Sequence, residues 1–275
     1  PYEGLMTRSA LTEQTWRLPD GTEVLVTARL HRAERLGPVT RVAVSLRNGR
    51  SRKVLDRERS DLVATVAHEL RSPLTGVKGF VTTLLNKWDL LNDDQKKLML
   101  TTVKVDSERL SRLITELLDV ARIDTGRLPL YPRPVDPEPI VQRVVDLAGA
   151  STARSLVVDS AEDLGTIHAD PDKFAQVVTN LVDNAMRHGA GDVRVSLVSD
   201  LDDVALIVDD EGDGIAEEIR QRVFTKFWKH GTRGGSGLGM YIVGGLVRAH
   251  GGRIDIGDSP SGGARVRVNW PRAGS

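Results

Sequence analysis

The sequence contains no cysteine. That single absence excludes disulfides, thiol nucleophiles and zinc–thiolate sites together, and it is compatible with a reducing compartment. Net charge is also absent, because 38 Lys and Arg balance 38 Asp and Glu. No global field therefore argues for nucleic-acid or membrane binding. No stretch approaches the roughly 18 apolar residues that span a bilayer, and no signal peptide stands at the start. The sequence opens at Pro1 rather than at a methionine. The expectation is a cytoplasmic fragment, with any membrane contact made through a segment outside it.

What is present fits two domains and part of a third, since 275 residues with 40% hydrophobic and 28% charged composition can bury more than one core. Charge is unevenly spread: Arg29 to Arg59 is rich in arginine and Asp159 to Asp213 in aspartate. Solvated faces account for the basic stretch.

Three zones follow one another. From Thr12 to Arg47 the pattern is strand-like, with a Pro19-Asp-Gly21 turn, a run Glu23–Leu30 and a run Val39–Leu46. So few antiparallel strands cannot hold a core alone, so this reads as the end of a larger domain. The second zone is helical. Leu55, Leu62, Val66, Leu70, Leu74, Val77, Val81 and Leu84 recur at helical spacing, and Leu98, Val105, Leu113, Leu117 and Val120 repeat it. Asn92-Asp93-Asp94 supplies the turn between them and Gly126 ends the second helix. A helical hairpin with one apolar stripe needs a partner, and a second copy completes a four-helix bundle. Leu128–Pro134 reads as a stiff linker. Beyond it, helices Pro137–Ala150, Pro171–His188 and Leu238–His250 alternate with strands Leu156–Asp159, Val193–Val198, Val204–Asp209, Arg253–Ile256 and Ala264–Trp270. That pattern predicts an α/β sandwich.

Four constellations carry chemistry. His68, within Val66-Ala-His-Glu-Leu-Arg-Ser-Pro-Leu-Thr75, lies on the first long helix. Histidine side chains offer a neutral, nucleophilic nitrogen near neutral pH. Glu69 could accept its ring proton, Ser72 follows one turn on, and Pro73 should bend the helix beside it. Asn180 and Asn184 are four apart, so both carboxamides share one helix face opposite Phe174, Val178, Leu181 and Ala185. Asparagine is a poor helix former, its oxygen suits Mg²⁺, and Arg187 is placed to meet phosphate. Solvent-facing polar residues are the bland alternative. Asp210-Glu-Gly212-Asp-Gly214 closes an apolar strand. A carboxylate there can accept from an exocyclic amine such as adenine's, while the glycines admit a flat ring; an ordinary Asp-Gly turn is the alternative. Gly235-Ser-Gly237-Leu238-Gly239 feeds a helix whose free N–H groups suit phosphate. It is neither a P-loop nor the dinucleotide fingerprint.

In this order the four blocks resemble the sensor histidine kinases of two-component signalling. His68-Glu-Leu-Arg-Ser-Pro resembles the family's H box, Asn180 to Asn184-Ala its N box, Asp210-x-Gly-x-Gly214 its G1 box and Gly235-x-Gly-Leu-Gly239 its G2 box. Val223-Phe224-Thr-Lys-Phe227 resembles its F box, Ala169-Asp-Pro-Asp172 also fits, and the likeness spans Leu55 to Trp270. The resemblance implies a multidomain α/β protein. Residues 1–47 would be the last part of a PAS-like sensory domain, a short antiparallel β remnant, and 48–60 a signalling helix. Residues 61–127 would form the dimerisation and phosphotransfer hairpin, and 135–275 the ATP-binding α/β sandwich.

It further implies that His68 autophosphorylates from Mg-ATP, with Glu69 as proton acceptor. The phosphoryl group would pass to an aspartate of a response regulator receiver domain. Ser72 would help position water for dephosphorylating that partner. Asn184 would be the main Mg²⁺ ligand with Asn180 beside it, and Asp210 would bind the adenine amino group. Gly235, Gly237 and Gly239, with Leu238, would shape the ATP lid. Arg187 and His188 stand where lysine and tyrosine are frequent. The lid departs from the family in being short, with Trp-Lys-His-Gly-Thr-Arg-Gly between Phe227 and Gly235, and Lys229 and Arg233 could contact phosphate. The protein would be a homodimer. Two other readings are a dimeric scaffold that binds nucleotide without transfer, and another ATPase of the same fold.

Overall fold

Alternating apolar and polar residues with strong β-branching make Glu23–Arg32 and Val39–Asn48 strands rather than helices. In the computed structural model they form β2 and β3, with β1 at Gln14–Arg17. The structure describes residues 14–17, 23–32, 38–150, 152–200, 202–229 and 235–274. The Pro19–Gly21 turn expected from sequence lies outside them. The chain divides into two compact units, Pro1–His68 and Glu69–Ser275. In the first, β1, β2 and β3 pair antiparallel in chain order. Val26 is buried there, whereas Val42, Val44 and Leu46 of β3 are exposed.

Helix α1 runs from Gly49 to Lys87 without interruption. The stretch expected to be a signalling helix, residues 48–60, is thus continuous from Gly49 with the first arm of the hairpin, because no Gly, Pro or capping signal separates them. Pro73 lies inside α1 and is buried, and the helix continues through it. A 3₁₀ turn at Trp88–Leu90 and Asn92 then start helix α2, Asp93–Asp124. Asn92 caps it reciprocally with Gln95, each side chain accepting the other residue's backbone N–H at 2.8 and 3.0 Å.

The α/β part of the second unit is built around a five-stranded sheet. Its strands are β5 (Leu156–Ser160), β7 (Val193–Ser199), β8 (Asp203–Asp209), β9 (Arg253–Asp258) and β10 (Ala264–Pro271). They lie in the order β5-β7-β8-β10-β9, with β5 and β7 parallel and the rest antiparallel. Helices α3 (Pro137–Gly149), α4 (Pro171–His188) and α6 (Gly239–Ala249) cover the core side, and a short α5 spans Glu217–Arg220. Phe174, Val177, Val178 and Leu181 of α4 meet Val195, Leu206 and Trp270 in one cluster. Alternation along β7, with Val193, Val195 and Leu197 inward, follows the period of a half-covered sheet.

Two features differ from the sequence reading. The Leu128–Pro134 linker is partly folded: Arg133–Val135 is strand β4, paired antiparallel with β6 (Ile167–Ala169). The Tyr131 N–H also donates to the Asp170 carboxylate at 3.0 Å. Backbone groups between prolines still need partners, and a neighbouring edge supplies them. Secondly, the apolar stripe of α2 does not serve the hairpin alone. Leu117, Val120 and Ile123 join the α/β core cluster. A Cβ on Gly245 would stand 2.7 Å from Ile123, so glycine there lets α2 and α6 touch.

His250 ties α6 to the start of α4. Its Nδ1 bonds to the Leu246 carbonyl at 2.8 Å, and its Nε2 accepts the Asp170 N–H at 3.1 Å. Burial pushes the imidazole below its ordinary value, against the pull of the Leu246 carbonyl and Asp170; His168 lowers it further. Asp170 in turn caps α4. Burial raises its carboxyl, but the N–H groups of Tyr131, Lys173 and Asp172 and nearby His250 outweigh this and lower it. The unfolded chain binds a proton that folded His250 resists, so stability is full above the ordinary value of 6.5 and falls as pH drops through it. His250→Gln, whose carboxamide oxygen can still accept the Asp170 N–H, should flatten that fall. Urea midpoints from pH 7.5 to 5.5 check it, and an unchanged slope contradicts the assignment.

Candidate functional site

Strand β8 is apolar and buried until Asp209 and Asp210, and Asp210 is only 8% exposed. An isolated carboxylate at such a depth is costly unless it is hydrogen-bonded. Asp210 Oδ1 accepts the N–H of Gly212 at 2.8 Å and that of Ala264 at 3.2 Å. Its main chain is held as firmly: its N–H donates to the Ala264 carbonyl at 3.0 Å, and its own carbonyl accepts Ser259 Oγ at 2.7 Å. A Cβ on Gly189 would stand 2.5 Å from the Asp210 carboxyl carbon, and one on Gly263 2.7 Å from Oδ1. Neither position admits a side chain. Both bonds fall on Oδ1, which leaves Oδ2 as the oxygen to accept from a ligand. Gly212 and Gly214 follow in the turn, half-buried.

Helix α4 starts at the Asp170 cap with Pro171 in its first turn, where proline costs nothing. Its apolar face is buried, so Asn180, Asn184 and Arg187 fall beside or opposite it, and His188 is exposed as the last residue of the helix. Asn180 Nδ2 is buried with no hydrogen-bond partner among the described residues. A Cβ on Gly239 would lie 3.8 Å from Asn180 Oδ1 and 4.0 Å from Asn184 Nδ2. The carboxamides therefore face the first turn of α6, where Leu238 provides no side-chain cap and free N–H groups remain. The N–H of Leu238 itself is taken, donating to Ser236 Oγ at 3.1 Å. A Cβ on Gly235 would stand 2.7 Å from an Arg187 guanidinium nitrogen. Asn180, Asn184, Arg187 and the Gly235–Gly239 loop are thus brought together. Carboxamide oxygens suit Mg²⁺, the guanidinium and helix N–H groups suit phosphate, and the unpartnered Nδ2 of Asn180 suits an acceptor such as a phosphate oxygen.

Phe227 joins the core margin with φ of 58°, in the left-handed region a non-glycine residue enters only under constraint. Gly237, at φ 71°, lies against its backbone. Phe224 touches Gly244, where a Cβ would be 3.3 Å away. Lys229 donates to Glu69 at 2.7 Å, and Arg109 lies 3.8 Å from the same carboxylate. His68 and Ser72 are exposed on α1. Arg233 lies outside the described residues.

Three contributors were not found from sequence. Gly189 and Gly263 lack any motif that separates them from ordinary turn glycines. Glu116 of α2 carries no sequence signal, since the surface it meets lies far along the chain. Its carboxyl bonds to Ser236, lies near Arg112, Arg187 and Asp183, and has an Oε2 buried without a hydrogen bond. Burial pushes it above the usual carboxylate range, against the lowering effects of Ser236 and both arginines. Around it, α2 docks through Asp119 to Lys173 at 3.1 Å and Gln176 at 2.7 Å, and through Asp124 to Tyr241 and Lys226. Burial, then the bond to Asp124, holds the Tyr241 hydroxyl up to about 12.

Comparison with known proteins agrees with this geometry. Residues 58–126 match the family described as His Kinase A (phospho-acceptor) domain, and 169–274 the Histidine kinase-, DNA gyrase B-, and HSP90-like ATPase family. Sensor protein KdpD of Clostridium acetobutylicum is 32% identical over 84% of this chain and 27% of its own length. Sensor protein SrrB of Staphylococcus aureus is 30% identical over 90% of this chain and 44% of its own. The chain thus spans less than half the length of these curated relatives. The structure of Acinetobacter baumannii histidine kinase AdeS shares the fold, with TM-score 0.58 and 24% identity over 74% of this chain and 97% of that one. Full-length ShkA, solved in complex with AMPPNP, aligns with TM-score 0.59 and 27% identity over 78% of this chain and 47% of its own.

The raised Glu116 carboxyl has a pH consequence. The folded state holds its proton more tightly than the unfolded chain, so its contribution is largest in acid and is lost as pH rises through the folded value. Glu116→Gln should therefore raise Tm at pH 8 and leave it near wild type at pH 4, below the ordinary value of 4.5. Paired thermal melts measure this, and an equal shift at both pH values contradicts a buried, ionisable Glu116.

Proposed function

Because the chain belongs to the sensor histidine kinase family, we propose that it binds Mg-ATP and phosphorylates its own His68. The phosphoryl group then passes to an aspartate of a response regulator receiver domain. The observation that carries this reading is the convergence of Asn180, Asn184, Arg187 and the glycine loop at the α6 N-terminus. Gly189, just past the end of α4, packs directly on the buried carboxylate of Asp210.

Each group has a task set by its chemistry. Asp210 Oδ2 accepts from the adenine amino group, and Gly212 and Gly214 allow the ring to lie against the backbone. Asn184 holds Mg²⁺ through its carboxamide oxygen, with Asn180 beside it; the ion neutralises phosphate charge when bound. Arg187, His188, Lys229 and Arg233 meet the phosphates, while Gly235, Gly237, Leu238 and Gly239 form the lid base. Phe224 and Phe227 anchor its other end. Phosphoryl transfer depends on positioning and charge neutralisation more than on covalent help. A ring nitrogen of His68 supplies the electron pair for the new N–P bond, the bond from the γ-phosphorus to the bridging oxygen breaks, and ADP leaves with the electron pair of that broken bond. Glu69 takes the ring proton, and Lys229 and Arg109 hold its carboxylate in place. Ser72 helps position the water that hydrolyses the partner's aspartyl phosphate, releasing inorganic phosphate.

A homodimer is part of the proposal. Leu85 and Leu98 on the hairpin are 79% and 68% exposed, and Val81, Leu84, Leu85, Trp88 and Leu100 line an apolar hollow at its turn. A second hairpin would cover them as a four-helix bundle. The β1–β3 sheet is proposed as the close of a PAS-like sensory domain. No helix among the described residues is long and apolar enough to cross a membrane.

Incubation with γ-labelled Mg-ATP should give acid-labile, alkali-stable protein label. His68→Gln should abolish it, and label that persists in that variant contradicts the proposal.

A further inference from the structure

Arg154 stands between α3 and β5, outside every motif of the nucleotide site, yet its guanidinium is spent entirely on the end of α4. Nε donates to the Gly191 carbonyl at 2.7 Å and Nη2 to that of Ala190 at 2.7 Å. Nη1 reaches the carbonyls of Met186 at 2.9 Å, Ala185 at 3.1 Å and Gly189 at 3.4 Å. The last carbonyls of a helix have no intrahelical donor. Arg154 gives Met186 such a donor, adds a second one to Ala185, whose carbonyl already accepts the Gly189 N–H, and brings a positive charge to the negative end of the helix dipole.

These carbonyls belong to the stretch that holds the adenine-facing corner. Gly189 lies so close to Asp210 that a Cβ would come within 2.5 Å of its carboxyl carbon, and a Cβ on Gly212 would meet Gly189 Cα at 2.9 Å. The Ala190 carbonyl that accepts from Arg154 also accepts the Glu211 N–H at 3.1 Å. One side chain thus joins the helix carrying Asn180, Asn184 and Arg187 to the turn carrying Asp210.

The geometry points to Arg154 as a positioning residue for nucleotide, one that fixes the distance between the phosphate-side helix and the base-reading carboxylate. This rests on the reading of the site as an ATP pocket. Arg154 touches no ligand and acts only through the main chain of 185–191. Losing it should weaken binding of any adenine nucleotide, with little effect on the transfer step once ATP is saturating. Lysine has three donors in place of a rigid fork of five, so it can serve only part of the set.

The test uses the full chain, with Kd for ATP and ADP measured in Mg²⁺ and KM and kcat measured for autophosphorylation. Arg154→Ala should raise both Kd values and KM by roughly tenfold, the loss expected for a few hydrogen bonds. The kcat should change by less than about threefold. Arg154→Lys should fall between, and it carries the test if the alanine variant does not fold. Arg194→Ala, which removes an exposed ion pair to Asp159 on the neighbouring strand, should leave Kd at wild type. Unchanged Kd in both Arg154 variants, or a lower kcat at constant KM, overturns the inference while the ATP pocket stands. Wild-type protein that binds no adenine nucleotide overturns the pocket and the inference together.

Discussion

The structure turns on one buried carboxylate at the end of a buried strand. Asp210 is kept in place by backbone donors from Gly212 and Ala264 and by a serine hydroxyl on its own carbonyl. Charge at that depth is tolerable only while those bonds persist. The constraint spreads outward. Gly189 and Gly263 must be glycine because Asp210 fills the space a side chain would need. The end of α4 must lie where Gly189 lies, which in turn places Asn180, Asn184 and Arg187 against α6. The carboxylate proposed to read the base and the face proposed to bind phosphate are thus set by one packing arrangement.

Helix α2 is the second structural theme. Its N-terminal half belongs to a hairpin whose apolar side is exposed, and its C-terminal half is packed onto the α/β core through Leu117, Val120 and Ile123. The polar contacts of Asp119, Asp124 and Glu116 ring that patch. One amphipathic helix serves two different surfaces along its length. Glu116 is the costly member, because a carboxyl half-surrounded by cations still has one oxygen without a hydrogen bond. Buried charge of this kind more often fixes an arrangement than strengthens it.

Much of this could be read in the residues. The bounds of α4, Pro171–His188, are visible because Asp-Pro starts a helix and glycine ends it, with period 3.6 between. Most strands of the large sheet were legible because they alternate or run apolar, as Val193–Ser199 and Asp203–Asp209 do. The three-residue pair β4 and β6 was not, since three residues show no period, and prolines beside one of them read as linker. Asn180, Asn184 and Asp210 stood out in the sequence because polar residues stand there where propensity disfavours them or where a strand ends. Arg154 was not: its partners are carbonyls more than thirty positions away, which leave no mark on side-chain pattern. Glu116 was hidden for a similar reason, because sequence shows a helix's faces but not what each one meets.

The central claim is that Asp210 reads an adenine amino group from a fixed position. It is tested most directly by titrating the full chain, in Mg²⁺, with ATP and with purine riboside triphosphate, which differs only in lacking that amino group. A carboxylate oxygen left without its donor in a closed corner costs about 1–3 kcal/mol. The analogue should therefore bind roughly tenfold to a hundredfold more weakly than ATP. Equal affinity for the two would contradict the claim, and with it the role assigned to the corner around Asp210.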